Sequence, residues 1–144
     1  MRSIKFRGKA IRKDKDMWLY GNLIKIGDSY HILEKEDMIE DGHHITQDSD
    51  RPTWVEDESI GQFTGLYDKN GKEIYEGDIV TFPYWHDSIF GGFVQIGKPS
   101  HCEVVYDDGS FVIKIDGELY HLGGQAKNVV EVVGNIYDNQ DLLA

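Results

Sequence analysis

Residues 60–80 read IGQFTGLYDKNGKEIYEGDIV. Four glycines, one Asn-Gly pair and apolar residues at alternate positions make this the most patterned stretch of the chain. Asn70-Gly71 predicts a tight hairpin, because both residues tolerate the positive φ that such a turn needs. Gly77, in EGDIV, predicts a second bend that feeds a strand over residues 78–82. No phosphate-loop pattern is present, since G-x-x-x-x-G-K-[ST] is missing and no helical period follows. Gln62, Thr64, Tyr75, Glu76 and Asp78 could line a polar site, but the same block works equally as turns with Phe63, Leu66, Ile74, Ile79 and Val80 packed beneath.

The same signals recur outward from this block. SIKFRG, near the N-terminus, alternates Ile4 and Phe6 with Lys5 and Arg7, as a half-buried strand does. Residues 17–34 read as a hairpin turning at Gly27-Asp28, with Gly21 as a bulge in its first strand. TWVE is a short strand. Asp108-Gly109 and Asp116-Gly117 predict two more hairpins. Residues 129–138 form a last strand, and NQDLLA forms one helical turn with Asn139 placed to cap it. Residues 35–52 are polar, acidic and aperiodic, and read as a surface loop. Residues 82–101 fit a long loop or an extended hairpin. Short strands with turns between them define an all-β chain, a barrel or a sandwich.

Length and charge narrow the classes further. The 144 residues suit one compact unit without disulfides. The single cysteine, Cys102, cannot form an internal disulfide and suits a reducing compartment. No secretory leader and no membrane-length apolar run is expected, which places the protein in the cytosol. The net charge of −11 argues against broad phosphate binding. That sum hides an asymmetry. Residues 1–13 carry six basic groups and no acidic one, leaving nine basic against 26 acidic elsewhere, a balance of −17. The basic strand either lies against an acidic body or offers Lys5, Arg7, Lys9, Arg12 and Lys13 to nucleic acid or an acidic partner.

Several blocks resemble the YopX family. These are IKFRG, MWLYGNL, the central IGQFTGLYDKNGKEIYEGDIV, YDDGSF and VVGNIYDN, in the family's order across most of the chain. The resemblance implies a protein of a phage or prophage, small, β-rich and of unassigned function. It implies a strand-rich N-terminal part over residues 1–58 and an SH3-like barrel over residues 59–144, together one compact unit. Residues 82–101 look longer than the corresponding connection in many relatives. The resemblance supplies no catalytic residues.

The remaining motifs weigh toward structure. His43 and His44, with Asp41, Asp48 and Asp50, could in principle hold a metal. Adjacent side chains of an extended chain face apart, however, so an acidic solvated loop is the simpler reading. His101 and Cys102 face apart for the same reason, and no G-x-S-x-G elbow exists. We expect no enzymatic activity, no cofactor and no metal. Phe82, Tyr84, Trp85, Phe90 and Phe93 are too dense for an ordinary loop: they cover the fold or make an interface, where aromatics are enriched. Base stacking there would need basic company, and this segment has only Lys98. The expected function is a non-enzymatic accessory protein that self-associates or contacts a host or phage protein. The alternative is nucleic-acid binding through the basic N-terminal strand.

Overall fold

The computed structural model describes residues 1–11, 16–34, 53–83, 85–87, 93–95, 100–123 and 126–144. It is built almost wholly of antiparallel strands, as the sequence predicts. The chain divides into two units, Met1–Phe63 and Thr64–Ala144, and the division falls inside a strand. The sequence-based boundary lay at residue 58.

In the first unit, β1 (Phe6–Lys9), β2 (Trp18–Ile26), β3 (Ser29–Leu33), β4 (Trp54–Val55) and the start of β5 (Gly61–Tyr67) lie in the order β4-β3-β2-β1-β5. Even positions of β1 and its extension turn inward, so Gly8 and Ala10 are buried while Lys5 and Lys9 stay half-exposed. Ala10, Leu19, Ile32 and Val55 form the core, with Phe6, Met17, Leu23, Tyr30 and Ile60 against it. Each large apolar side chain buried this way contributes about 1.5–3 kcal/mol. The end of β1 also meets β4. Ala10 and Val55 form an isolated bridge, and the Ile11 N–H donates to Trp54 O at 2.9 Å. Where β1 passes from β4 to β5, the Lys9 N–H donates to Ser59 Oγ at 2.7 Å, and that hydroxyl donates to Glu56 O at 2.7 Å.

Gly21 does not make the expected bulge. Its pairing with Phe6 continues an unbroken register. A Cβ there would lie 2.1 Å from Leu33 O, so glycine is required for the close approach of β3's end.

The second unit contains the rest of β5, then β6 (Glu73–Tyr75), β7 (Asp78–Phe82), β8 (Trp85–Asp87), β9 (Phe93–Gln95), β10 (Ser100–Asp107), β11 (Ser110–Ile115), β12 (Glu118–His121), the short helix α1 (Ala126–Val129) and β13 (Glu131–Asn135). Its main sheet runs β12-β11-β10-β7-β13. The Asp-Gly turns form as predicted: Asp108 and Gly109 take φ of 43° and 80°, and Asp116 and Gly117 take 50° and 86°. Gly71 and Gly77 also have positive φ, at 79° and 82°. β8 and β9 pair antiparallel, so residues 82–101 contain the extended hairpin. Ile74, Val80, Cys102, Val104, Phe111, Ile113, Ile115, Leu122, Val130 and Val132 form one core.

The closure of an SH3-like barrel is not seen. Among the described residues this sheet ends at β12 and β13, because β13 returns to β7 rather than to β12. Asn139 also departs from expectation. It precedes the last 3₁₀ turn, Gln140–Leu143, without a side-chain bond to it. Instead its Oδ1 accepts from the Asn135 N–H at 3.2 Å, and the side chain lies where a Cβ on Gly134 would stand. Among the described residues no helix is long and apolar enough to cross a membrane.

Candidate functional site

Thr64, Tyr75 and Asp78 of the central block bond to its own chain. Thr64 is buried, donates from Oγ1 to Ile74 O at 2.8 Å and accepts from the Leu66 N–H at 3.1 Å. Asp78, 1% exposed, accepts from the Tyr75 N–H at 2.8 Å, and the Tyr75 hydroxyl donates to Glu73 Oε2 at 2.7 Å. These bonds are made within the fold.

Asp68 is the polar centre that sequence reading did not single out. It is 2% exposed. Its Oδ1 accepts from the N–H groups of Asn70 (2.8 Å) and Lys72 (2.9 Å), and its Oδ2 from that of Val132 (3.0 Å). Burial alone would raise its pKa. The N–H donors of Val132, Lys72 and Asn70, with the Lys72 charge, outweigh burial and hold it below 3.8. Around it, the Lys69 N–H donates to Val130 O at 2.8 Å, and Lys69 Nζ meets Glu131 at 2.6 Å. The Asn-Gly hairpin is thereby strapped to β13. Asp two residues before Asn-Gly is a legible sign of the local half of this clamp. Val132 lies too far along the chain to be read.

Cys102 is fully buried, and burial, with the Asp116 charge, pushes its thiol up to about 11. Such a thiol carries little thiolate and is no nucleophile. Among the described residues no group of three or more His, Cys, Asp or Glu is placed to hold a metal ion. His43 and His44 lie outside the described residues.

The aromatic interface candidates separate. Phe82 is half-buried and packs against the second core. Trp85 and Phe93 stand in β8 and β9, where Asp87 pairs with Phe93 and Trp85 with Gln95. Tyr84 and Phe90 lie outside the described residues. The basic candidates separate too. Lys5 Nζ sits 5.1 Å from the Phe63 ring centroid. Arg7 is only 5% exposed, with its guanidinium 5.0 Å from the Trp18 ring centroid, so it presents no open edge to a phosphate. Lys9 Nζ pairs with Asp16 at 2.7 Å. Arg12 and Lys13 lie outside the described residues.

Exposed apolar side chains occur on several of the described elements, and two places are of interest. One is β12, at the end of its sheet, where all four residues are exposed and Leu119 and Tyr120 are each 47% exposed. The Leu122 N–H donates to Phe111 O, at 3.3 Å. Backbone groups alternate sides along a strand, so those of Leu119 and His121 point away from β11. Sequence reading predicted this strand but not that it ends the sheet. The other carries Tyr20 of β2 and Trp54 of β4, 45% and 48% exposed.

The fold defines a small all-β protein of antiparallel sheets. A family model described as YopX protein matches residues 5–144, and the chain belongs to the YopX family. It is similar over the full length of both chains to the crystal structure of protein EF1440 from Enterococcus faecalis, with a TM-score of 0.54 and 22% identity. At that identity the likeness concerns the fold alone. No curated protein matches the chain.

Proposed function

We propose that the protein is a non-enzymatic accessory protein of a phage or prophage, acting in the host cytosol through protein contact and associating with a second copy of itself. The observation that carries this reading is β12. A strand exposed along its whole length at the end of an open sheet is a template for strand addition. Its outward Leu119 and His121 backbone groups would supply the hydrogen bonds. A twofold axis through Tyr120 would pair Leu119 of each copy with His121 of the other, and bring the two Tyr120 rings together on the opposite face. The phage origin rests on family resemblance, and the cytosolic location on the lone thiol. The aromatic hairpin β8–β9 is a second contact surface in this proposal.

The non-enzymatic part rests on what the reactive groups do. Asp68, Asp78 and Thr64 are bound to backbone, and the one thiol is buried with a raised pKa.

Size-exclusion chromatography with light scattering tests the reading. Leu119→Pro removes one outward N–H while leaving the inward ladder to β11, a substitution that edge strands tolerate. The wild type is expected as a dimer and Leu119→Pro as a monomer with a similar melting temperature. A monomeric wild type at about 100 μM, well above the Kd of a specific dimer, would sink self-association. Trp85→Ala, measured alongside, separates the edge from the aromatic hairpin.

A further inference from the structure

Asn70-Gly71 is the one Asn-Gly pair of the chain. Such a pair carries a latent reaction. The Gly71 nitrogen, on losing its proton, can attack the carbonyl carbon of the Asn70 side chain. The bond to the side-chain amide nitrogen breaks, ammonia leaves and a cyclic succinimide remains. Water then opens the ring at either carbonyl, giving aspartate or isoaspartate at position 70. Glycine hinders the attack least, because it has no Cβ.

Both residues are exposed. Among the described residues, no heavy atom beyond the chain neighbours stands within 4 Å of where a Cβ on Gly71 would be. Cover therefore does not protect the pair, and hydrogen bonds do. The Gly71 N–H, whose proton must leave, donates to Asp68 O at 3.0 Å. The N–H groups on either side, of Asn70 and Lys72, both donate to Asp68 Oδ1, at 2.8 and 2.9 Å. The Asn70 side-chain amide donates to Glu131 Oε1 at 3.5 Å. Asp68 itself is tied to β13 by the Val132 N–H. Ring closure needs the Gly71 nitrogen and the Asn70 side chain to turn toward each other into one narrow geometry. Each of these bonds resists that turn.

We propose that the Asp68 clamp gates this reaction: Asn70 is a modification site that converts in molecules whose 68–72 turn has opened from β13, and isoaspartate then keeps the turn from re-forming. In isoaspartate the main chain runs through the former side chain and is one carbon longer. The Gly71 and Lys72 N–H groups then lose the spacing that lets both reach Asp68. A new carboxylate also stands near Glu131, where Asn70 had donated. Segments of a fold open at less than the cost of global unfolding, so conversion at Asn70 records local opening of this turn.

The test is peptide mapping by mass spectrometry of the full chain aged at mildly alkaline pH, with isoaspartyl peptides separated by chromatography. Conversion at Asn70 should be at least about tenfold slower in the native protein than in guanidinium chloride, where the turn is open. Asp68→Ala, shown to be folded by circular dichroism, should raise the native rate at least about fivefold. Lys69→Gln removes the exposed ion pair to Glu131 and leaves the three bonds to the carboxylate, so its rate should stay near that of the wild type. If Asp68→Ala does not fold, the wild type in denaturant below its midpoint replaces it, and conversion should accelerate before the global transition. Purified isoaspartyl chains should melt below unconverted ones. A native rate equal to the unfolded rate overturns the proposal. So does a folded Asp68→Ala that reacts as slowly as the wild type, or a Lys69→Gln that reacts as fast as Asp68→Ala. Conversion that rises only with global unfolding, or isoaspartyl chains that melt like the wild type, overturns it as well.

Discussion

Asp68 ties the turn over residues 68–72 to β13. Three backbone N–H groups depend on one carboxylate, and one of them, that of Val132, is buried. Removing the acceptor leaves these donors unsatisfied, so Asp68→Ala should cost about 3 kcal/mol in urea unfolding, and Asp68→Asn less. The pH dependence has a definite sign. The folded pKa lies below the ordinary 3.8, so the stabilisation is complete above that value. It is lost as pH falls through the lower folded value. The gap between wild type and Asp68→Asn should therefore be widest near neutrality and shrink in acid; a gap independent of pH would deny the carboxylate this role. Gly21 is a purely steric case. Gly21→Ala places a methyl against the Leu33 carbonyl, where backbone must move, and should cost about 2 kcal/mol. A variant as stable as wild type would mean that β3's end moves away without penalty. Neither role is fully legible in the sequence, because each depends on a group on another strand.

At the scale of elements, the hairpins were legible because their cause is local. Asp108-Gly109 and Asp116-Gly117 need only two adjacent residues that accept positive φ, and both turns form where those residues stand. The basic character of β1 was legible for the same reason. What became of those charges was not: Arg7 is buried against Trp18, which the register of β2 brings opposite Lys9. The exposure of β12 likewise depends on strand order. The hairpin from β11 is written in the chain, yet only the return of β13 to β7 leaves β12 at the sheet's end. This is why the Leu119→Pro prediction belongs to the element. The substitution alters an edge, and the same substitution in a central strand would remove a ladder bond and unfold the sheet.

Across the whole molecule, charge and core divide differently between the units. Residues 1–63 hold ten basic and 13 acidic groups, and residues 64–144 hold five and 13, so the acidic excess belongs mainly to the second unit. A bulk charge of −11 thus says little about the first unit, whose own balance is −3. Cys102 reports on the second unit as a whole. With its thiol pushed up to about 11, about one thousandth is thiolate near pH 8, and the sulfur is also covered. Labelling by an aromatic disulfide should be at least a hundredfold slower in the native protein than in urea. It should accelerate only as the second core opens. Fast labelling of the native chain would mean that this core opens locally.

By itself, the sequence determined the class of the fold, the positions of the turns and the family. Turn residues act over two or three positions, alternation acts over one strand, and both survive without knowledge of the rest. Tertiary structure alone decided which strands are neighbours, that the second sheet stays open, and that Asp68 reaches Val132 across 64 residues. It also decided which cations are spent inside the fold and which rings remain outside. Those outcomes depend on pairings between distant segments, whose free energy comes from packing and shared hydrogen bonds rather than from any local preference of the chain.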